Sequence, residues 1–249
     1  MSTKTNNPID PIHQFEIVKL IDFKLSNVDL SFTNASLFMI ISAFAILSFL
    51  FLGTKNKLLI PSKIQLITEM SYSFVAKMIN DTAGSNAKPF FPFIFTLFMF
   101  VLFCNMVGML PYSFTVTSHI IVTFVLAAIV FVGVTIIGII KHGIKYLELF
   151  VPKGVPIILL PLIIVIEIIS YLSRPVSLSV RLFANMMAGH TMLKVFGGFV
   201  LSLGLLGGWL PLSFSVALIG LEILVAFLQA YVFAILTCIY LNDALNLHH

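Results

Sequence analysis

Charge is scarce in this sequence. Of its 249 residues 10% are Asp, Glu, Lys or Arg and 59% are hydrophobic, whereas a soluble domain averages roughly 25% charged and 45–50% apolar. That balance argues against a water-soluble enzyme. Cysteine is also sparse: Cys104 and Cys238 both sit inside apolar stretches, with no spacing for a disulfide or a metal site. The net charge is only +4, and the lysines fall in short patches between apolar runs, so the basic balance is no nucleic-acid signal. Residues 1–33 alternate polar and apolar (Lys4, Asp10, Glu16, Lys19, Asp22, Lys24, Asp29) and lack an unbroken apolar stretch ahead of a small-residue cleavage site, so no cleaved signal peptide is expected. There is no GxxxxGK[ST] loop, HExxH, GxSxG or CxxC. Nucleotide hydrolysis and covalent catalysis by this chain itself are therefore not expected, nor is a cofactor or a metal.

What the sequence has in abundance is long apolar runs, with a mean hydropathy of +1.10. A hydrocarbon core about 30 Å thick needs about 20 apolar residues at 1.5 Å each. Residues 35–53 meet that length without a charge, as do 90–110 and 120–140, which a short Pro-Tyr-Ser turn at Pro111 joins into a helical hairpin. Between 61 and 84, Ile64, Ile67, Met70, Phe74 and Met78 recur at helical spacing opposite Lys63, Glu69 and Lys77, which predicts an amphipathic helix at the membrane surface. Two longer runs follow, 155–205 and 209–241. The first is too long for one perpendicular helix, and is either two spans or one strongly tilted helix. The expected fold is an all-α polytopic membrane protein with about five crossings, including a pair of long tilted helices, plus the surface helix. Lysines cluster in 54–88 and in 141–153 and are missing from 111–118. Both basic loops should thus face the cytoplasm or its organellar equivalent, with the N-terminus opposite.

The long runs carry what charge there is at membrane depth. Glu167, Arg174, Arg181, His190 and Lys194 lie in the first, Glu222 and Gln229 in the second; Arg174 and Arg181 are the chain's two arginines. At roughly 2.5–3.5 kcal/mol apiece, Glu167, Arg174, Arg181 and Glu222 together cost on the order of 10 kcal/mol unless paired or hydrated, so their default reading is an ion pathway. At 100° per residue Glu167, Arg174, Arg181 and Asn185 share one stripe, within about 80°, while His190 points roughly the opposite way. Such a division suits two aqueous approaches better than one continuous pore. Glu222 and Gln229, seven apart, share a face of the last helix.

Arginine cannot give up its proton, so Arg181 serves as a latch or a barrier, whereas imidazole and carboxyl can relay protons at His190 and Glu222. Arg174, beside Pro175, is assigned to structure, and Lys194 to snorkelling. Gly204 and Gly208, and Ala184 and Ala188, have the small-xxx-small spacing of helix contacts and are assigned to packing. Two other classes compete with a proton pathway: a secondary transporter holding a small anion at Arg181 and coupling it to protons through Glu222, and a purely structural scaffold. No internal repeat supports the first, and the second leaves Arg181 and Glu222 at membrane depth without a purpose.

The stretch SRPVSLSVRLFANMMAGHTML, residues 173–193, resembles the signature of subunit a of the F-type ATP synthase. NMVGMLPYSFT (105–115), LEILVAFLQAYVFAILTCIYL (221–241) and the opening PIHQFEI (11–17) extend the resemblance over essentially the whole chain. It implies a stator subunit whose two long tilted helices embrace a rotating ring of c-subunits, with b-type subunits of the peripheral stalk as further partners. Arg181 matches the family's essential arginine, which meets the ring carboxylate and keeps two half-channels apart. Asn185 matches the polar residue one turn beyond it, and Gln229 the glutamine on the partner helix. His190 and Glu222 match the two proton-uptake positions, with acid and imidazole exchanged relative to many bacterial members, as in mitochondrial and alpha-proteobacterial ones. Glu167 matches a carboxylate on the exit side. The implied location is an energy-coupling membrane, either the bacterial inner membrane or the mitochondrial inner membrane.

Overall fold

The computed structural model describes residues 15–22, 24–25, 28–29, 31–55, 61–110, 113–143, 146 and 159–246. The sequence readings at Lys4, Asp10, residues 11–14, Pro111, residues 144–145, Lys153 and residues 155–158 lie outside these residues.

Six helices run through the described residues: α1 (Asn34–Lys55), α2 (Lys63–Ala83), α3 (Phe91–Gly108), α4 (Ile120–His142), α5 (Leu160–Gly207) and α6 (Trp209–Leu245). All but α2 are long and apolar enough to cross a membrane. Each begins or ends where local chemistry dictates. Ser62 caps α2 by accepting the Gln65 N–H, and Gly84, at φ +69°, ends it in a conformation that side chains disfavour. Pro92 sits at the start of α3, where its missing N–H has no partner to lose. At the far end of α4, Lys141 and His142 reach the Leu245 carbonyl at 3.1 and 3.2 Å, placing basic groups on the unsatisfied C-terminal end of α6.

Within the run beginning at 155, α5 is continuous over the 45 residues from Leu160 to Gly204, where the backbone leaves helical geometry, so one long helix stands there rather than two spans. At about 67 Å this stretch is more than twice as long as the hydrocarbon core is thick, and α6 at about 55 Å is nearly so, which requires both to cross steeply tilted. The glycines at 204 and 208, read above as a helix-packing motif, instead shape the reversal between α5 and α6. Gly204 takes φ +63°, and a Cβ on Gly208 would lie 2.7 Å from the Gly204 carbonyl and 2.9 Å from that of Val200. Ala184 and Ala188 likewise lie on an exposed face of α5. Among the buried small residues, Ala226, Ala230 and Ala234 on α6 stand at four-residue spacing. In lipid, where apolar surface gains nothing from leaving the solvent, such a ladder lets backbones approach closely.

Two expectations are refined further. Residues 15–33 include two small antiparallel pairings, Lys19–Ile21 with Phe32–Thr33 and Lys24–Leu25 with Val28–Asp29, so the alternation of polar and apolar residues there reflects extended chain. On α2, Ile64, Ile67 and Met70 of the predicted stripe are turned outward, Phe74 packs its ring against Phe98, Phe227 and Tyr231, and Gln65, Thr68, Val75, Met78 and Ile79 pack inward against the bundle.

The bundle's central core is built around α3 and α6, through Phe98, Met99, Val101, Phe233 and Cys238. At the end opposite the α5–α6 reversal, α4, α5 and α6 are tied by polar groups. Arg174 pairs with Asp243 at 3.1 Å and lies over the rings of Tyr171 and Tyr240, at 5.4 and 5.1 Å. The Tyr171 hydroxyl meets Thr135 of α4 at 2.6 Å and Tyr146 at 3.0 Å. Asp243→Asn should lower stability by about 1–2 kcal/mol, because it leaves a half-buried guanidinium without its carboxylate. Thermal unfolding of the detergent-solubilised complex reads this, and exchanging the two charges (Arg174→Asp with Asp243→Arg) should recover part of the loss.

Candidate functional site

Helix α5 packs on its neighbours through Pro175, Leu178, Ser179, Leu182 and Met186. With this seam fixed, the rest of the helical wheel follows. Arg181 and Asn185 fall on one flank and His190 on the other, so the two polar directions read from the sequence become two different surroundings.

On the first flank Arg181 is exposed, and it makes no hydrogen bond or ion pair among the described residues. One turn on, the Asn185 side-chain amide donates to Gln229 Oε1 at 2.8 Å, joining α5 to α6. Gln229 itself is buried, on the same inward stripe of α6 as Glu222 and Ala226. Arg174, on the same side, differs from Arg181 in being fully engaged by Asp243 and two tyrosine rings. Glu167, half-buried, has no hydrogen-bond partner among the described residues. By helical rise it stands about 21 Å from Arg181, while His190 stands about 13 Å away in the opposite direction.

On the second flank three chain segments converge. His190 Nε2 lies 2.9 Å from Thr115 Oγ1 and 3.5 Å from Glu222 Oε1. The latter distance is within ion-pair range but longer than a good N–H···O hydrogen bond. Gly189 makes the approach possible, since a Cβ there would come within 2.7 Å of Glu222 Oε1. Beneath the pair, Asn105 of α3 is fully buried and donates to the Ala226 carbonyl at 3.2 Å. A cavity of about 920 Å³ opens over the site, lined among others by Glu16, Asn34, Ser113, His190, Lys194 and Glu222. The segment after α3 and the N-terminal residues, with Phe15 edge-on to His190 at 6.5 Å, thus surround the imidazole at one end of the bundle.

The structure brings His190 together with Glu222, and Asn185 with Gln229; Arg181, one turn from Asn185, bonds to neither pair, and Glu167 stands apart from both. Thr115, Gly189 and Asn105 were not singled out in the sequence. Thr115 and Asn105 lie in the stretch 105–115 that carried part of the resemblance, and an uncharged residue gives no hydropathy signal of its own. Among the described residues no three His, Cys, Asp or Glu side chains converge as metal ligands would.

These features define a polytopic α-helical membrane protein with ionisable groups at membrane depth and an aqueous-sized cavity leading to some of them, the setting in which ion pathways are built. Comparison with known proteins narrows the class. The family model for the ATP synthase A chain matches residues 36–242. A protein of Pelagibacter ubique (strain HTCC1062) called ATP synthase subunit a is 75% identical over 241 residues, covering 96% of this chain and 99% of that one. Proteins of the same name from Chelativorans sp. (strain BNC1) and Mesorhizobium japonicum are 60% and 57% identical, covering 96% and 97% of this chain and 99% and 98% of their own lengths. The chain belongs to the ATP synthase A chain family, subunit a of the F-type ATP synthase.

Gly189→Ala tests how tightly the imidazole–carboxylate pair is built. The new methyl meets only the end of a flexible side chain, so the complex should assemble with stability changed by less than about 1.5 kcal/mol. Glu222 must nevertheless move away from His190, and proton translocation in vesicles should fall on the order of tenfold or more.

Proposed function

We propose that this chain is the proton-translocating stator subunit of the F-type ATP synthase, offering two offset half-channels to the carboxylates of a rotating c-subunit ring. The observation that carries the reading is Arg181: a permanent cation, exposed and unpaired among the described residues, midway along α5 with titratable groups on either side of it. A guanidinium left without a partner in lipid is costly, and an anionic partner on a neighbouring subunit removes that cost.

Protons enter from the side of the N-terminal segment, through the cavity at His190 and Glu222, and neutralise a ring carboxylate. The neutral carboxyl is far cheaper to carry through hydrocarbon than the ion, so the ring can turn. After nearly a full turn the carboxyl reaches the second half-channel near Glu167. There the approach of Arg181 favours its charged form, and the proton leaves toward the side of the basic loops. Asn185 and Gln229 brace α5 against α6 next to the arginine, so that its position does not drift as the ring passes. Arg181 cannot relay a proton, and this keeps the two half-channels from short-circuiting. The nucleotide chemistry resides on other subunits, b-type subunits of the peripheral stalk hold the chain against the ring, and the membrane is the bacterial inner membrane. Helix α2 lies at the basic side with its outward apolar stripe against lipid.

Arg181→Ala in the assembled complex tests the reading, with assembly verified by co-purification of the ring. ATP-driven proton pumping should drop to background while passive proton leak in the same vesicles rises. Pumping near the wild-type rate would make Arg181 structural and remove the basis of the mechanism.

A further inference from the structure

Thr115 occupies a position that the relay just described does not use. It lies in the non-helical segment after α3, is buried, and has its side chain between the end of α3 and the His190 ring. Its hydroxyl donates to the Gly108 carbonyl at 3.1 Å, and the same oxygen stands 2.9 Å from His190 Nε2. Gly108 permits this closeness: a Cβ there would fall 2.7 Å from the Thr115 methyl carbon and 3.2 Å from its Cα. The Thr115 carbonyl in turn accepts from the Ser118 hydroxyl at 2.6 Å and from its N–H at 3.2 Å, which holds the segment in place.

A carbonyl oxygen can only accept, and a hydroxyl has one hydrogen to give. With that hydrogen directed at Gly108, Thr115 Oγ1 is an acceptor toward His190, and Nε2 must carry the hydrogen between them. We propose that Thr115 is a positioning residue of the proton-uptake site, which sets the Nε2–H tautomer of His190 and thereby the direction in which the imidazole passes protons. The inference rests on the relay reading given above.

The consequence for the relay is specific. With Nε2 occupied, an incoming proton binds the Nδ1 lone pair and forms the imidazolium. The Nε2 proton then passes to Glu222 Oε1, 3.5 Å away, leaving a neutral ring protonated at Nδ1. In that state the Nε2 lone pair faces both Glu222 and the Thr115 oxygen, whose hydrogen is committed elsewhere. The neutral ring returns to the Nε2–H form by giving the Nδ1 proton to water in the cavity and taking one from water at Nε2, with no net transfer, and the next proton is again taken at Nδ1. Without the hydroxyl, the two neutral tautomers lose this bias, and a ring already protonated at Nδ1 cannot take up the next proton at that nitrogen. The other groups around the ring are Phe15 from the N-terminal segment, Lys194 one turn along α5, and Glu16 across the cavity. None of them is placed between the ring and a carbonyl as Thr115 is.

The experiment compares Thr115→Val, which keeps the shape and removes the hydroxyl, with Thr115→Ser, which keeps the hydroxyl. Each is measured in the assembled complex in vesicles beside Glu222→Gln. Loss of one hydrogen bond of ordinary strength predicts that coupled pumping falls about three- to tenfold in Thr115→Val, with assembly unchanged. Thr115→Ser should pump close to the wild-type rate. Solid-state 15N NMR of the histidine-labelled complex, with the His190 resonances taken by difference from His190→Gln, supplies a readout that packing alone would not move. The neutral ring should be protonated at Nε2 in wild type and Thr115→Ser, and a mixture of tautomers in Thr115→Val. Wild-type pumping in Thr115→Val beside a disabled Glu222→Gln overturns this inference alone, as does a Thr115→Ser complex as slow as Thr115→Val. Wild-type pumping in Glu222→Gln overturns the relay reading and this inference with it.

Discussion

A charge in hydrocarbon must be paired, hydrated or kept for a partner still to come, and the two arginines of α5 divide along that line. Arg174 is held by Asp243 at 3.1 Å and roofed by Tyr171 and Tyr240. Arg181, two turns on, is exposed without a bond to any described residue. The same residue type at the same helical phase therefore does opposite things: one secures the end of the bundle, and the other is left available. An unmet guanidinium at membrane depth costs several kcal/mol, and the proposed function supplies Arg181 with an anion on a neighbouring subunit.

The remaining architecture places that cation without neutralising it. The seam through Leu178, Leu182 and Met186 decides which way α5 turns, and so separates Arg181 from His190. Asn185 reaches from α5 to Gln229 on α6, and the alanine ladder of α6 lies buried in the bundle, with the Ala226 carbonyl met by Asn105 of α3. Around His190, Gly189 leaves room for Glu222 and Gly108 for Thr115. In each case a small residue creates the space and a polar one uses it, which lipid makes necessary because no water stands by to satisfy a misplaced donor or acceptor.

Much of this was legible in one dimension. Long apolar runs marked every candidate crossing, because hydropathy summed over about 20 residues is a large and local signal. The phase of 100° per residue was enough to put Arg181 and His190 on different faces. The resemblance pointed to the family that the comparisons then established. Phase alone could not say which face was packed. For that reason the outward stripe of α2, the exposure of Ala184 and Ala188, and the use of Gly204 and Gly208 as a chain reversal all differed from the plainest reading of their spacing.

The sequence by itself determined the solvent, the positions of the apolar runs and the inventory of ionisable groups, because these follow from composition and from interactions within one helix, but it left open whether 155–205 holds one span or two. Only the tertiary structure decided which of those groups meet. Asp243 is 69 residues from Arg174, Glu222 is 32 from His190, and Thr115 is 75 from it. Each pairing is fixed by the angle and register at which separate helices pack, a property of side-chain shapes summed over whole interfaces that no local pattern of residues records.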